Sequence, residues 1–423
     1  MLDKIIPGGT ADLTRSQWMA IWASYLGWTL DAFDFFLLVF MLKAISESFG
    51  SDIKAVSEAL FLTLAARPVG ALVFGWLGDR FGRRPILMLV IVLFSVLSAL
   101  SGLARSLGEL LLIRALFGFA MGGEWGLGAS LVMETIPARL RGIVSGLLQS
   151  GYPSGYFLAS LAYFLFFDHI GWRGMFFIGF APALLVLLIR SQVQESPAFV
   201  AQQTARAKGE VAGALATIAG HWRLALYLIV LMTAFNFFSH GTQDLYPTFL
   251  QKQHGFDTHT TGTMTAIMNL GALTGALIFA PLSQHIGRRR AIMAAAALAL
   301  PIIPLWAFTS GLVAMALGGF LIQVAVQGAW GIVPAYLNEL SPPAVRAMFP
   351  GLVYQLGNLI ASRNAVIQAG IAESHGNNYG LALALVTGIT AMVLFTWTAL
   401  GPDPNGRELS EPSRQPLPAG DPP

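Results

Sequence analysis

Cysteine is absent from the 423 residues, which removes both a disulfide framework and any thiolate metal site. Charge is scarce too: Asp, Glu, Lys and Arg make up 11% of the chain, against roughly a quarter of an ordinary soluble domain. A large soluble enzyme fits that composition poorly. What is present is apolar: 55% of the residues are hydrophobic, with 45 Gly and 29 Phe. Apolar blocks of about 20 residues, the length a helix needs to cross a hydrocarbon layer, recur along the chain. Twelve can be read, near 18–42, 57–77, 86–104, 108–133, 143–167, 173–193, 222–250, 262–282, 291–309, 312–337, 348–370 and 379–400. Strands of a closed barrel would be alternating segments of about ten residues, so these blocks are read as helices. The segment before the first block lacks the layout of a signal peptide, so that block is expected to be a retained helix.

The net charge of +3 says less than where the basic residues fall. Arg80, Arg83 and Arg84, then Arg139 and Arg141, Arg206 and Lys208, Arg288 to Arg290, and Arg346 occupy alternate loops. By the positive-inside rule these loops and both termini face the cytoplasm, in a plasma membrane expected to be a bacterial inner membrane. The clusters are separated by membrane spans and form no continuous platform for nucleic acid.

Two loops repeat. GDRFGRRP, Gly78 to Pro85, has a degraded copy in SQHIGRRR, Ser283 to Arg290, and GEWGLGASLVMETIPARLRG, from Gly123, has an echo in GAWGIVPAYLNELSPPAVRA, from Gly328. Gly82 to Gly287, Trp125 to Trp330, Glu134 to Glu339 and Arg141 to Arg346 all share one offset of 205 residues. A common offset in two motifs predicts two similar six-helix halves, the arrangement that permits alternating access about a midplane site. The expected units are an N-terminal bundle over 1–195, a cytoplasmic linker over 196–220, a C-terminal bundle over 221–400 and a polar, disordered tail over 401–423.

GWLGDRFGRR, Gly75 to Arg84, resembles the signature loop of the major facilitator superfamily. The resemblance covers about 18–400 and implies an all-α fold of two pseudo-symmetric bundles around a central cavity, usually a secondary transporter. The residues themselves point to a charged latch between bundles, made in one state and broken in the other. Its candidates are Asp79, Arg80, Arg83, Arg84, Glu134, Arg141, Glu339 and Arg346. Gly75 and Gly78 allow close helix approach, and Asp79 can cap a helix start and pair with arginine.

Charged groups inside a membrane are costly unless paired or facing water, so those few mark sites. Asp31 and Asp34 lie three apart on the first span. Arg67 lies in the second, Arg114 and Glu124 in the fourth, and Arg363 is expected deep in the eleventh. In NFFSHGTQDLYPTF, Asn236, His240 and Asp244 are spaced by four with Gln243 beside them, so the stripe is expected to line a cavity toward its outer mouth. Pro247 predicts a bend or a helix end there. This stretch is similar to the signature of Jen-type lactate and monocarboxylate transporters of the sialate:proton symporter group, at Asn236, Ser239, His240, Gln243, Asp244 and Thr248. Gln355 and Asn358 in VYQLGNLIASRNAV also look family-like. The resemblance implies proton-coupled carriage of short carboxylates, with the larger sialic acid carried by close relatives.

Chemistry independent of the resemblance also favours an anion, since arginine offers a carboxylate two fixed N–H donors. The expected binding set is Arg363, Asn236, His240, Gln243, Gln355 and Asn358. Asp244 is the leading proton-coupling candidate, ahead of Asp34 and Glu124, with Asp31 able instead to brace a neighbouring helix. Phe35, Phe36, Phe237 and Phe238 either narrow the cavity or face lipid. The expectation is a lactate:proton symporter working as a monomer among membrane lipids, with no cofactor or metal. A sialic acid symporter and a non-transporting ligand sensor are the alternatives. An enzyme is disfavoured: His240 and Asp244 have no second nearby histidine or HExxH helix to complete a zinc site, and no serine has a base and orienter.

Overall fold

A computed structural model describes residues 13–51, 53–191, 195–196, 199–200, 203–204 and 214–404. Most of the expected linker over 196–220, and the tail from 405, lie outside the described residues. Seven helices form the first half: α1 Arg15–Phe49, α2 Ile53–Phe81, α3 Arg83–Leu103, α4 Leu107–Gly122, α5 Glu124–Thr135, α6 Arg141–Gln149 and α7 Gly151–Ser191. The second half holds α8 Trp222–Gln243, α9 Thr258–Ile286, α10 Arg288–Ala307, α11 Leu312–Trp330, α12 Val333–Leu340, α13 Met348–Ala361, α14 Asn364–Ser374 and α15 Tyr379–Ala399. Among the described residues, nine helical spans are long and apolar enough to cross a membrane. Helix α7, which turns at Gly171 where φ is 60°, and the broken pair α13 and α14 account for the other passages.

Local chemistry sets the ends. Thr14 opens α1 with a reciprocal capping box to Gln17. Ser106, Asp257 and Asn378 accept the third backbone N–H of α4, α9 and α15. Gly82 and Gly287 separate α2 from α3 and α9 from α10 with φ of 112° and 93°, where a Cβ would be strained. These two glycines are one offset apart, as are the first residues of α2 and α9, α3 and α10, and α4 and α11.

The repeat extends to packing. A Cβ built on Gly70 would sit 1.8 Å from the Phe119 carbonyl oxygen, and one on Gly275 would sit 2.2 Å from that of Val324. Both members of the second contact are the first pair advanced by one repeat, so α2 meets α4 as α9 meets α11. Between halves, α2 packs on α13 and α6 on α9. Glycines permit this approach too: Gly126 faces Gly351, and Gly146 faces the Ala276 backbone. Outer faces carry exposed Leu89, Val92, Val96, Leu100 and Leu103 along α3, as a lipid-facing helix requires.

Candidate functional site: a two-chamber cavity above a charged network

The arginine-rich end is closed by two sets of contacts that exchange partners between halves. Asp79 at the end of α2 accepts backbone N–H bonds from Ala347 and Met348, both at 3.0 Å, and so caps α13 of the other half. Its repeat counterpart Gln284 accepts the Gly142 N–H at 3.2 Å, in the first turn of α6. The copy carries an amide where the original carries a carboxylate. Arg83 lies 3.1 Å from both Asp79 and Glu134, while Arg288 lies 3.0 Å from Glu339. Arg141 reaches Glu339 at 3.9 Å, and Arg346 reaches Glu134 at 4.0 Å, so each pair crosses between halves. Burial of these groups makes pairing obligatory.

Arg80 and Arg84 are less buried than these groups. The Arg80 guanidinium lies over Trp76 and Phe81 at the surface, because its helix position points away from the other half. Arg84 is half-buried, and its backbone N–H donates to Glu195. Glu195 has a neighbour in Ser196, whose hydroxyl donates to Glu134, and Phe199 stacks on Arg83. The charged network therefore reaches Ser196 and Phe199, which lie in the connection beyond the expected first bundle. The ESPAF run supplied no periodicity to mark it.

On the other side of the latch the halves part around a cavity. Its wider part, about 620 Å³, is lined by Phe35, Phe36, Tyr156, His240, Gln243, Asp244 and Arg363 among others. An inner chamber of about 40 Å³ continues from it, sharing Phe35, Leu64, Tyr152, His240 and Gln327 and adding Trp28, Arg67, Gln149, Asn236, Trp330, Tyr354 and Asn358. Repeat-related Trp125 and Trp330 converge on Tyr354, with ring centroids 4.8 and 5.6 Å away. An aromatic cluster from both halves thus walls the chamber.

The polar stripe of α8 lies where the spacing of four requires. His240 Nδ1 is 3.0 Å from Asp244 Oδ1, and its Nε2 is 3.3 Å from Asn358 Oδ1 on α13. Asn364 donates to the other Asp244 oxygen at 3.3 Å, and Gln368 donates to the Gly241 carbonyl at 2.7 Å. Gln243 donates to Gln323, which donates to Thr242. The Asn236 amide donates to the Met232 carbonyl one turn back, leaving its oxygen for the chamber. Helix α8 ends at Gln243, close to the expected break, and Pro247 lies in the short helix Tyr246–Thr248 that follows the turn.

Several expectations change. Arg363 is exposed on the wall of the wide cavity, at the break between α13 and α14, rather than deep in a span. The sequence around it is apolar enough to read as one continuous helix, and the interruption after Ala361 carries no Pro or Gly. Gln355 is buried and lies outside the lining of both chambers. Phe35 and Phe36 line the cavity, whereas Phe238 is part of the hydrophobic core of the second half.

Asp31 and Asp34 have different neighbours despite sharing a helix. Asp31 pairs with Arg67 at 3.2 Å, and Asp34 accepts from the Ser98 hydroxyl at 2.8 Å. Arg114 is fully buried within the fourth span. Its guanidinium stacks 3.9 Å from the Phe117 ring centre, with no hydrogen-bond partner among the described residues. Glu124 lines a small separate pocket with Ser24, Trp28 and Trp125. Of the four acids considered for coupling, Asp244 alone lines the wide cavity.

Known proteins place this architecture. A sugar (and other) transporter model matches residues 20–223, and a major facilitator superfamily model matches residues 229–420. The sialic acid transporter NanX of Escherichia coli is 30% identical over 380 residues, 88% of this chain and 91% of its own. A carboxylic acid transporter protein homolog of Saccharomyces cerevisiae is 27% identical over 434 residues, 95% of this chain and 70% of its own. The proton:xylose symporter XylE has the same fold, with a TM-score of 0.74 at 21% identity, covering 93% of this chain and 98% of that one. Two bundles related by one sequence offset, closed by exchanged charges and matched along nearly their whole length, make this a multi-pass membrane transporter rather than an enzyme, and the chain belongs to the major facilitator superfamily.

Proposed function

We propose that the protein is a proton symporter of a small monocarboxylate, with lactate as the representative substrate, moving between chambers by rocking of the 1–195 and 221–400 bundles. The observation that carries this reading is the contiguous set His240, Asp244 and Asn358, which joins the acid stripe of α8 to a cavity that also holds cationic Arg67 and Arg363. Both ring nitrogens of His240 meet oxygens, so an imidazolium would donate to Asp244 and Asn358 together. A proton held by this pair adds positive charge next to both chambers, where an anion must be received. Its release with the substrate makes one proton and one monoanion travel as a neutral load.

Arg363 at the vestibule wall serves as the first anchor for the carboxylate, and Asn236 and Asn358 serve further in. Gln243 is tied to Gln323 and so holds α8 against α11, while Gln355 is off the cavity wall and is left out of the binding set. The Jen-type motif in α8 supports assignment to the sialate:proton symporter group. So does the kinship to a sialic acid transporter and to a carboxylic acid transporter homolog. The expected setting is a bacterial inner membrane with both termini cytoplasmic and the cavity opening outward, working as a monomer.

A sialic acid symporter is the second reading, favoured by the roughly 620 Å³ vestibule, which has room for a sugar acid. Purified protein in liposomes tests both. Labelled lactate should accumulate under an inwardly directed proton gradient and cease to accumulate when the gradient is collapsed. Equal uptake with and without the gradient removes the coupling, and accumulation of sialic acid without lactate reassigns the substrate.

A further inference from the structure

We propose that the inner chamber reads a carboxylate carrying a hydroxyl on its 2-carbon, while the vestibule limits only the size of what is attached to that head. This rests on the carboxylate reading above and narrows it. Among the residues lining the chamber, Trp28, Arg67, Gln149 and Gln327 are each more than nine-tenths buried. Each carries a buried polar atom without a hydrogen-bond partner among the described residues: Trp28 Nε1, Arg67 Nε, Gln149 Oε1 and Gln327 Oε1. Two are donors and two are acceptors. Unpaired buried polar groups are costly, and four lining one small space are accounted for by a ligand that pairs them.

The donors suit a carboxylate. Arg67 uses Nη2 on Asp31 at 3.2 Å and on the Met121 sulfur at 3.6 Å, which fixes the guanidinium and leaves Nε free. Trp28 is a donor only, and its ring is held between Tyr152 and Tyr354. The acceptors cannot serve an anion, which repels them, but they can take the proton of a hydroxyl next to it. Gln327 is held by a 3.4 Å bond from its Nε2 to the Ser239 hydroxyl, which keeps Oε1 as its remaining group. Gln149 comes from the first half and Gln327 from the second, so a hydroxyl bound between them would be gripped by both bundles.

A space of about 40 Å³ takes a polar head and no more, and the rest of the substrate must extend past His240 into the vestibule. Lactate and free sialic acid share that head: each has a hydroxyl on the carbon bearing the carboxylate. The two substrate readings differ only in the tail.

Binding to the purified full chain in detergent, measured by titration calorimetry without any gradient, tests the rule. Lactate should bind at least about tenfold more tightly than propionate, which lacks only the hydroxyl. N-acetylneuraminic acid should likewise exceed its 2-O-methyl glycoside, whose blocked oxygen has no proton to donate. Gln149→Leu and Gln327→Leu should weaken lactate to the level of propionate and leave propionate unchanged. Propionate binding as tightly as lactate overturns the proposal, as does a sugar acid that binds equally with its 2-hydroxyl blocked. If lactate fails to bind while the sugar acid binds and its glycoside does not, the head rule stands and the lactate reading falls. Loss of gradient-driven accumulation with the lactate preference intact removes proton coupling and leaves the rule in place.

Discussion

At the scale of single residues, the proposed mechanism rests on groups with two partners. His240 touches Asp244 in its own helix and Asn358 in another, so a change in its charge is felt by two elements. Asp244→Asn keeps the shape of a neutral carboxyl and removes the carboxylate with which His240 shares a proton. It is expected to abolish uphill lactate accumulation while exchange of labelled for unlabelled lactate persists. Both activities are read in one liposome preparation, and continued gradient-driven accumulation would move the coupling role to another acid. Glu339 is a different case, since it serves Arg288 and stands opposite Arg141 in the other half. Glu339→Gln leaves two buried guanidinium groups short of their carboxylate and should cost about 3 kcal/mol of stability. Thermal unfolding in detergent reports that loss as a lower midpoint.

At the scale of elements, close helix pairs depend on glycine rather than on large apolar knobs. Gly70→Ala and Gly275→Ala each push a methyl group into a backbone carbonyl of the facing helix, so α2 must separate from α4, or α9 from α11. Each should destabilise by about 1–3 kcal/mol, and the two should add because they lie in different halves. A midpoint unchanged by either substitution would mean that these interfaces are looser than their geometry. Asp257 marks the start of α9 with its bond to the Thr260 N–H at 2.7 Å. Its hydrogen bonds with Thr260 hold its carboxyl below the usual range. The cap is therefore present above the ordinary carboxylate pKa and lost as pH falls through the depressed one. A loss of hydrogen-exchange protection in the first turn of α9 on acidification, relative to the intrinsic rate at each pH, should report this fraying, and Asp257→Asn should remove that loss.

At the scale of the whole molecule, the two halves meet through exchanged charges and glycine crossings on one side and part around the cavity on the other. Asp79→Asn weakens the carboxylate that caps α13 from the opposite half and should bias the transporter toward opening at the latch side. With no native cysteine, single cysteines placed near Gly142 and Gly351 are clean reporters of that opening. Their modification by a membrane-permeant thiol reagent should rise in Asp79→Asn relative to the parent. Unchanged labelling would show that the remaining bridges from Arg141 and Arg346 hold the closed side without it.

The hydropathy of the chain determined by itself that it crosses a membrane many times, and the 205-residue offset determined that it does so as two related halves. Both are local or periodic properties: an apolar run must leave water, and a repeated sequence folds twice. The α8 stripe was legible for the same reason, since a spacing of four on a helix places Asn236, His240 and Asp244 on one face. Tertiary structure alone decided which groups face each other across hundreds of residues. Asp31 and Asp34 look equivalent in sequence, yet one meets Arg67 and the other Ser98, because they point at different neighbouring helices. Arg363 moved from a span interior to the cavity wall because α13 and α14 break apart there. The inner chamber was hidden for the same reason: Trp28, Arg67, Gln149 and Gln327 come from four separate elements, and only the packing of those helices brings their unpaired polar atoms to one place.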